Sequence, residues 1–468
     1  MAGVLPSNVS YFMQRLQGVS VSHFKVHPQT DGNQTSGKIV RFELPSNTLL
    51  NLRGTRLFFN AVTSGAGASM PNDVNSFIER CSVYMGGVLV QNGFQGYNVL
   101  KHAKAALKGS KCGATLGHPE IVRAISYHNG ATFANTDPET YSTDGTEAFC
   151  IDDWEGLLGS LEPSIIDSGL MPQITLELTL ADDTVCPISE GRVLPDGGGT
   201  TTNNFDKTGS GNPTYTLSQM TLQCEVLGMA TSVLDQIVEQ RIASVGYLSM
   251  PFKNHYTFVS THSGTSRFNV NSASWDRLWL AYRPSTYSTK SAPVIVNGYK
   301  KSGAFVDDAA GQTAADVDIG LPQYDAGGSG LLGTNCERYI SNYFKFKEIE
   351  TSASVPAYFQ LQVNSANIPA YRMTSPEAYA MSMNAIDKYD HNNKMTLDQY
   401  RNNFFVQCYR FCLPESDYNR LASGLDTRSV SAMGSLTTEN IASCNLLMFA
   451  ECTAELRLGA GRAIEVIG

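Results

Sequence analysis

The amino-acid sequence predicts an all-β protein built from two similar antiparallel β-sandwiches in tandem, with a few short helices. Three observations support this fold class. Segments of strand length alternate apolar and polar residues, the 41 glycines fit many tight turns between them, and the order of segments in the first half of the chain recurs in the second. The 468 residues, 42% of them hydrophobic, suffice for two sizeable cores.

The strands are recognised by side chains that alternate with a period of two. Ile174–Leu180 reads Ile-Thr-Leu-Glu-Leu-Thr-Leu, and in Met220–Val226 the apolar side chains also fall on one side. Such alternation is typical of antiparallel sheets with one buried and one exposed face. Many short strands with glycine-rich turns indicate sandwiches or jelly rolls. Two further segments with this pattern are 359–363 and 454–458.

The helices are predicted to be few and short. Residues 97–107 place four apolar side chains on one stripe. Residues 375–386 begin with Ser375, the expected N-cap, followed by Pro376 in the first turn. A third helix is predicted at 232–242, midway along the chain, where a bridge between two halves would lie. The apolar stripe of the first helix comprises Val99, Leu100, Ala103 and Leu107.

An internal repeat relates the two halves. Arg41–Leu44 and Arg56–Ala61 begin with Arg-Phe and Arg-Leu, and so do Arg267–Val270 and Arg277–Tyr282 past the midpoint. The recurrence of strand, strand, strand, helix, strand, strand with comparable half lengths favours two copies of one fold over coincidence. The remaining matches pair 81–90 and the helix at 97–107 with 358–363 and the helix at 375–386, and the closing strands 174–180 and 220–226 with 445–450 and 453–458.

The first hundred residues carry a more specific signal. Val40–Arg53 reads Val-Arg-Phe-Glu-Leu-Pro-Ser-Asn-Thr-Leu-Leu-Asn-Leu-Arg, followed by Phe-Ile-Glu-Arg at 77–80 and Gly-Gly-Val-Leu-Val at 86–90. These segments resemble the major capsid proteins of Polinton-like viruses and virophages, a family of the double jelly-roll lineage of double-stranded DNA viruses. The rest of the chain matches that family in the order and size of its elements.

The resemblance implies a homotrimer whose six jelly rolls form a pseudo-hexagonal capsomer of an icosahedral shell. The implied partners are other copies of the chain, neighbouring capsomers, and penton and minor capsid proteins. The implied location is the virion capsid, assembled inside the host cell. An N-terminal arm would lie on the inner side of the shell, against the protein's own base, a neighbouring subunit or an inner membrane.

The repeat divides the chain into four expected parts. Residues 1–34 form an N-terminal arm with a short helix at 7–17, and residues 35–230 form the first jelly roll. Residues 231–246 form a linking helix, and residues 247–468 form the second jelly roll. The long polar stretches within both halves are interpreted as insertions that project from one end of a β-sandwich.

Charge and cysteine usage exclude some functions. The 43 acidic residues outnumber the 34 basic ones, giving a net charge of −9, and no block of lysine or arginine occurs. Direct sequence-specific binding of nucleic acid is therefore not expected. The ten cysteines form no Cys-x-x-Cys pair, and we predict that Cys81, Cys224, Cys444 and Cys452 are buried thiols in strands.

No motif in the chain predicts catalysis. Gly328–Gly333 matches the dinucleotide pattern but follows a polar segment instead of an apolar strand. His255 and His262 are too far apart in sequence for a metal pair on one strand. The pairs Asp152-Asp153 and Asp182-Asp183, like that at 307–308, are typical of turns. We predict no catalytic, cofactor-binding or metal-binding residues, and we predict that the chain is not an enzyme.

Two other functions compete with the capsid hypothesis. A carbohydrate-binding or carbohydrate-acting jelly-roll protein would line its surface with tryptophan and tyrosine beside paired acids. The chain has 21 tyrosines but only three tryptophans. A penton or spike protein is the other alternative, and the tandem repeat disfavours it because such proteins resemble a single roll with fibrous additions.

Overall fold

Two β-sandwiches make up the computed structural model, named here module 1 (strands within 20–228) and module 2 (strands within 247–467). No helix among the described residues is long and apolar enough to cross a bilayer. The residues that the structure describes are 20–64, 71, 73–108, 148–186, 214–228, 243–288, 294–296, 323–324, 331–332, 338–340, 342–352, 354–386, 397, 400–401, 404–413, 424–428 and 433–468.

The strands of module 1 are β1 (Ser20–Val26), β2 (Gln34–Thr35), β3 (Ile39–Glu43), β4 (Leu49–Ser64), β5 (Ile78–Met85), β6 (Val88–Gln95), β7 (Ala148–Ile151), β8 (Ile165–Asp167), β9 (Ile174–Leu180) and β10 (Thr214–Gly228). They form two antiparallel sheets. Sheet 1a has the order β1-β10-β4-β7, with β2 paired to β10 and β8 paired to β4. Sheet 1b has the order β3-β9-β5-β6.

The strands of module 2 are β11 (Tyr247–His262), β12 (Thr265–Asn269), β13 (Trp275–Pro284), β14 (Val294–Val296), β15 (Gln323–Tyr324), β16 (Leu331–Leu332), β17 (Arg338–Ile340), β18 (Tyr358–Val363), β19 (Ala366–Met373), β20 (Val406–Arg410), β21 (Met433–Glu439), β22 (Cys444–Gly459) and β23 (Ile464–Ile467). Sheet 2a has the order β11-β22-β13-β20, with β23 on β22, and sheet 2b has the order β12-β21-β18-β19. The pairs β14–β17 and β15–β16 stand apart.

The two modules have the same topology. Eight strands form the framework of each: β1, β3, β4, β5, β6, β7, β9 and β10 in module 1, and β11, β12, β13, β18, β19, β20, β21 and β22 in module 2. Counted from one to eight in chain order, both sets form one sheet of order 1-8-3-6 and one of order 2-7-4-5. Eight antiparallel strands in two sheets of this kind form a jelly roll. The predicted fold class, two tandem jelly rolls with a few short helices, is confirmed.

Alternating strands bury the side chains that the sequence assigned to the core. Leu176, Leu178 and Leu180 of β9 are fully buried. The four cysteines predicted as apolar fillers are at most 1% exposed, and burial raises the thiol pKa of each to about 12. Such thiols fill space and have little thiolate character at neutral pH. These four residues are Cys81, Cys224, Cys444 and Cys452.

The helices are α1 (Tyr97–Lys108), α2 (Leu157–Ser160) and α3 (Ser375–Ala385), together with 3₁₀ turns at Val74–Phe77, Asp183–Val185, Asn342–Phe344 and Ala460–Arg462. The four apolar residues of the stripe predicted for α1 are all buried. The N-cap predicted for α3 is wrong by one residue, because Thr374 and not Ser375 adopts the extended cap conformation. The carboxylate of Glu377 accepts hydrogen bonds from the Thr374 N–H and hydroxyl, both at 2.8 Å.

One part of the predicted repeat is also wrong. Residues 445–450 and 453–458 are not two strands, since both belong to the 16-residue strand β22. The true counterpart of β9 in module 2 is β21 (Met433–Glu439). Residues 446–452 are buried on both faces and residues 453–459 on one face only, so the alternation changes within a continuous strand. That change of pattern looks like a strand boundary in the sequence.

Several sequence predictions fall on residues outside the described ranges. These are the helices at 7–17 and 232–242 and most of the Gly328–Gly333 segment, although residues 243–245 are helical. Strand β1 begins at Ser20, inside the segment 1–34 that was expected to be an arm, and it pairs with β10 along its whole length.

Candidate functional site

The outer face of sheet 2a, the face turned away from the core of module 2, is buried. In β13, nine consecutive residues from Trp275 to Arg283 are buried, and so are residues 446–452 of the neighbouring β22. A strand in a two-layer sandwich ordinarily buries alternate side chains only. A second layer of protein must therefore cover this sheet, and that layer is module 1.

Helix α1 supplies the covering layer. It packs against β5 and the Val74–Phe77 turn of its own module and against β13 and β20 of module 2. Gly96 precedes the helix with a φ of +74°, and a Cβ atom there would lie 3.3 Å from the side chains of Leu447 and Phe449. Glycine at this position thus allows both the left-handed backbone and the close approach of the two modules.

A charged cluster lies where α1 meets sheet 2a. The ammonium of Lys104 is 2.7 Å from the Glu155 carboxylate and 3.2 Å from that of Glu451. The same Glu451 carboxylate is 2.9 Å from the Arg277 guanidinium and accepts a 3.1 Å hydrogen bond from the indole of Trp279. Lys104 also lies 5.5 Å from the centre of the Trp279 ring. Charged groups from both modules therefore neutralise one another inside the contact.

The surroundings keep these groups ionised. Burial alone would raise the pKa of Glu155, but the ammonium groups of Lys104 and Lys101 outweigh it and hold this pKa at about 2. Burial opposes ionisation of Glu451 as well, yet Lys104 and Arg277 keep its pKa well below the usual range. Removal of any one member would leave a buried charge without compensation.

A second contact involves His102 of α1. Its ring stacks on Phe344 of module 2 at a centroid distance of 3.8 Å, and its Nε2 lies 2.8 Å from the Ser76 hydroxyl. Burial lowers the pKa of His102 to about 4, against an opposing effect of Asp73. The imidazole is therefore neutral at physiological pH.

Hydrogen bonds join the two modules at the edge of sheet 2a. They link β11 to the end of β6 and to the region of α2. The bonds are Thr257 Oγ1 to the Gln95 carbonyl at 2.8 Å, Lys253 N–H to the Ser160 hydroxyl at 2.7 Å, and Glu162 N–H to the Pro251 carbonyl at 3.0 Å. The contact thus runs from α1 to the outermost strand of the sheet.

Sheet 1a pairs equivalent residues on its outer face, but α1 does not lie on that face. Arg56 pairs with Gln223 across β4 and β10, as Arg277 pairs with Glu451 across β13 and β22. A register shift adjoins both arginines. Phe58 lies opposite Cys150, as Trp279 lies opposite Cys408. The equivalent positions, module 1 first, are therefore Arg56 and Arg277, Gln223 and Glu451, Phe58 and Trp279, Cys150 and Cys408.

The exposure of these equivalent residues differs between the modules. Arg277 is 7% exposed and Trp279 is 3% exposed, whereas Arg56 is exposed and Phe58 is half-buried. At the edge of sheet 1a, all of β1 except Val26 is exposed. Sheet 1a thus has the face that α1 covers on sheet 2a, and no part of the described chain covers it to the same degree.

Comparison with solved structures identifies the fold. The chain is similar to the quasi-atomic model of the PBCV-1 virus capsid, with 11% identity over 95% of this chain and 96% of that chain and a TM-score of 0.50. It is similar to PBCV-1 VP54, fitted into a reconstruction of the virophage Sputnik, with 11% identity, 96% of each chain covered and a TM-score of 0.53. The chain is a double jelly-roll protein.

A further solved structure resembles the chain at a lower TM-score. The mavirus major capsid protein matches with 10% identity over 95% of this chain and 90% of that chain, at a TM-score of 0.43. No protein-family model matches the chain, and no curated protein does. The double jelly roll is therefore established by shape and topology, at sequence identities where fold alone is shared.

The two histidines weighed from sequence for metal chemistry have different surroundings. His262 is bonded to the hydroxyls of Ser266 and Thr438, both at 2.7 Å, and His255 lies 3.6 Å from Glu451. In the described part of the chain, no group of three or more histidine, cysteine, aspartate or glutamate residues could hold a metal ion.

The acidic pairs have structural roles. Asp182 caps the Asp183–Val185 turn by accepting a 2.9 Å hydrogen bond from the Thr184 N–H, as expected for a turn residue. Asp153 forms an ion pair with Lys101 at 2.9 Å and so holds α1 to the segment that follows β7. The pair at 307–308 lies outside the described residues.

Sequence reasoning missed the lysines of α1 and their acidic partners. The strands of module 2 did carry a sign of this contact. Arg277 and Glu451 interrupt apolar runs in which polar residues do not alternate with apolar ones. Charged residues within such runs indicate a strand that is buried on both faces and paired through ions. The partner of those charges could not be read from the sequence, since Lys104 is about 170 residues from Arg277.

Proposed function

We propose that this protein is the major capsid protein of an icosahedral double-stranded DNA virus and that it assembles as a homotrimeric, pseudo-hexameric capsomer. The observation that carries the proposal is the way two equivalent jelly rolls meet, with the helix of one module lying on the outer face of the next module's sheet. Such a head-to-tail contact can be repeated around an axis until a ring closes.

Three copies of the chain supply six modules. Within each chain one contact of this kind already exists, so a closed ring needs three more contacts between chains. A ring of six similar modules has six similar sides, which suits a hexagonal lattice. Of the two similar structures with TM-scores of 0.50 and 0.53, one is described as a model of the PBCV-1 virus capsid. The other is PBCV-1 VP54 fitted into a reconstruction of the virophage Sputnik. They give no support to the carbohydrate-binding alternative.

The proposal includes location and partners. The protein resides in the virion capsid and contacts other copies of itself, neighbouring capsomers, and penton and minor capsid proteins. Residues 20–230 and 247–468 act as its two jelly rolls, because β1 at Ser20–Val26 already belongs to sheet 1a. The residues before Ser20 act as an arm on the inner side and residues 231–246 as the link. The protein works as a structural element and not as an enzyme, and its net charge of −9 argues against direct gripping of the genome.

The mass of the purified protein in solution tests this proposal. Size-exclusion chromatography with light scattering should give three times the mass of one chain, or a larger shell. Negative-stain images of the trimer should show particles of hexagonal outline. A stable monomer at micromolar concentration would contradict the proposal, because a capsomer must persist before it joins a shell.

A further inference from the structure

We infer that the outer face of sheet 1a is the docking site for helix α3 of a second copy of this chain. The inference rests on the proposed function and names the surfaces that would close the ring. It starts from the internal repeat. Around Arg56 and Phe58, sheet 1a has the register that sheet 2a has around Arg277 and Trp279. Sheet 2a is covered by a helix that follows the fifth framework strand of a jelly roll.

Helix α3 is the equivalent of α1 in module 2. It follows β19, the fifth framework strand, and packs on β18 as α1 packs on the equivalent strand β5. Its own module buries only part of its surface. Pro376, Glu377 and Ala380 form an exposed stripe along the first turns of the helix. An exposed stripe of this kind is the surface of α3 that a sheet of another copy could cover.

The charges favour α3 over a second α1 as the occupant. On sheet 2a, the cationic side chain of Lys104 meets Glu451. On sheet 1a the position of Glu451 holds Gln223, and exposed cations are close by in the strands. Helix α3 contains no lysine or arginine and exposes Glu377. An acidic or neutral helix is therefore a better complement to sheet 1a than a cationic one. The exposed cations are Lys25, Arg56 and Arg53, of which Arg53 pairs with Glu162 at 3.2 Å, and the half-buried Glu225 on the same face is bonded to Asn51.

Sheet 1a also exposes apolar side chains on its outer face. Val21 of β1 is 56% exposed on the outer face, beside the half-buried Leu227 of β10. Phe58 is half-buried at the centre of the same face, at the position where Trp279 lies under α1 in module 2. Apolar groups surrounded by charged ones are the usual composition of a specific contact between protein chains.

The first test compares two arginines on exposed strand positions. Arg56→Glu places an acidic group opposite α3 and should raise the concentration at which half of the trimer dissociates by roughly tenfold or more. Arg267→Glu, on the exposed face of β12 in sheet 2b, is the matched control and should change it by less than about twofold. Ala380→Arg tests the helix side and should weaken the trimer as Arg56→Glu does.

The second test identifies the occupant directly. A photo-reactive benzoylphenylalanine replaces Phe58, the equivalent of the Trp279 that lies under α1. The full-length trimer is irradiated, and the products that run at the mass of two chains are digested and sequenced by mass spectrometry. Cross-links to 374–385 of another copy are expected. Cross-links elsewhere in a trimer, or a trimer unaffected by Arg56→Glu, would overturn this inference and leave the proposed function intact. A protein that is monomeric at micromolar concentration overturns both.

Discussion

Sheets 1a and 2a have the same strand order, but among the described residues a helix of the same chain covers the outer face of sheet 2a only. Both carry an arginine, an aromatic ring and a cysteine at equivalent positions on the outer face. In module 2 these residues are buried under α1, and the arginine is compensated by Glu451. In module 1 the arginine is exposed and its neighbour across the strands is Gln223. In this chain the buried arginine thus lies under a helix of the same polypeptide, and its equivalent on the uncovered sheet stays exposed.

The largest expected effect is the loss of Glu451. Glu451→Ala leaves the buried cations of Lys104 and Arg277 without their shared carboxylate and should lower the free energy of unfolding by about 3–5 kcal/mol. Gln223→Ala, at the equivalent position of module 1, should cost less than about 1 kcal/mol. Urea unfolding monitored by tryptophan fluorescence measures both. Equal losses would mean that the two faces do not differ in the way described.

A substitution at Gly96 tests the close approach of the modules. Gly96→Ala strains the backbone at its φ of +74° and also pushes a methyl group against Leu447 and Phe449. Gly87 has a φ of +84° with nothing near its missing Cβ, so Gly87→Ala carries the backbone strain alone. We expect Gly96→Ala to lower the free energy of unfolding by ~1–2 kcal/mol more than Gly87→Ala does. Its thermal midpoint should therefore be the lower of the two. Similar midpoints would exclude a tight contact at Gly96.

The pH dependence of stability should separate two groups of the contact. The folded-state pKa of His102 is about 4, below the value of about 6.5 in an unfolded chain. The unfolded chain therefore binds more protons between these values, and stability falls as the pH decreases from about 6.5 to 4. The pKa of Glu155, about 2, adds a loss only below roughly pH 4.

His102→Phe isolates the first of these losses. Phenylalanine can still stack on Phe344 but cannot be protonated. The urea midpoint of this variant should decrease less than that of the native protein between pH 7 and pH 4.5, whereas both should lose stability below pH 4. If the urea midpoints of the variant and the native protein decreased in parallel between pH 7 and pH 4.5, protonation of His102 would not be the cause of the pH dependence.

The smallest expected effect concerns the edge of the contact. Thr257→Ala removes the hydrogen bond from the Thr257 hydroxyl to the Gln95 carbonyl, and half-exposed bonds of this kind contribute about 0.5–1.5 kcal/mol. Thr261→Ala, at an exposed position of the same strand β11, is the control and should change the unfolding midpoint by less. A Thr257→Ala loss as large as that of Glu451→Ala would move the centre of the contact to the strand edge.

The sequence predicted those features that a local pattern encodes. The alternating run of β9, the apolar stripe of α1 and the paired Arg-Phe and Arg-Leu strands gave the fold class and most of the repeat. The split of β22 into two strands failed because burial on both faces removes the period of two over half its length. The Lys104–Glu451 contact joins residues about 350 positions apart, and pairing at that distance depends on the three-dimensional arrangement of the modules.

The position of α1 in the chain also has a consequence for biosynthesis. The helix belongs to module 1, yet it forms part of the covering layer of module 2. It leaves the ribosome about 170 residues before Arg277, which corresponds to roughly ten seconds or more at usual translation rates. Nascent module 2 can therefore condense on a surface that is already folded. A circular permutant that makes module 2 first should yield less native protein per chain synthesised.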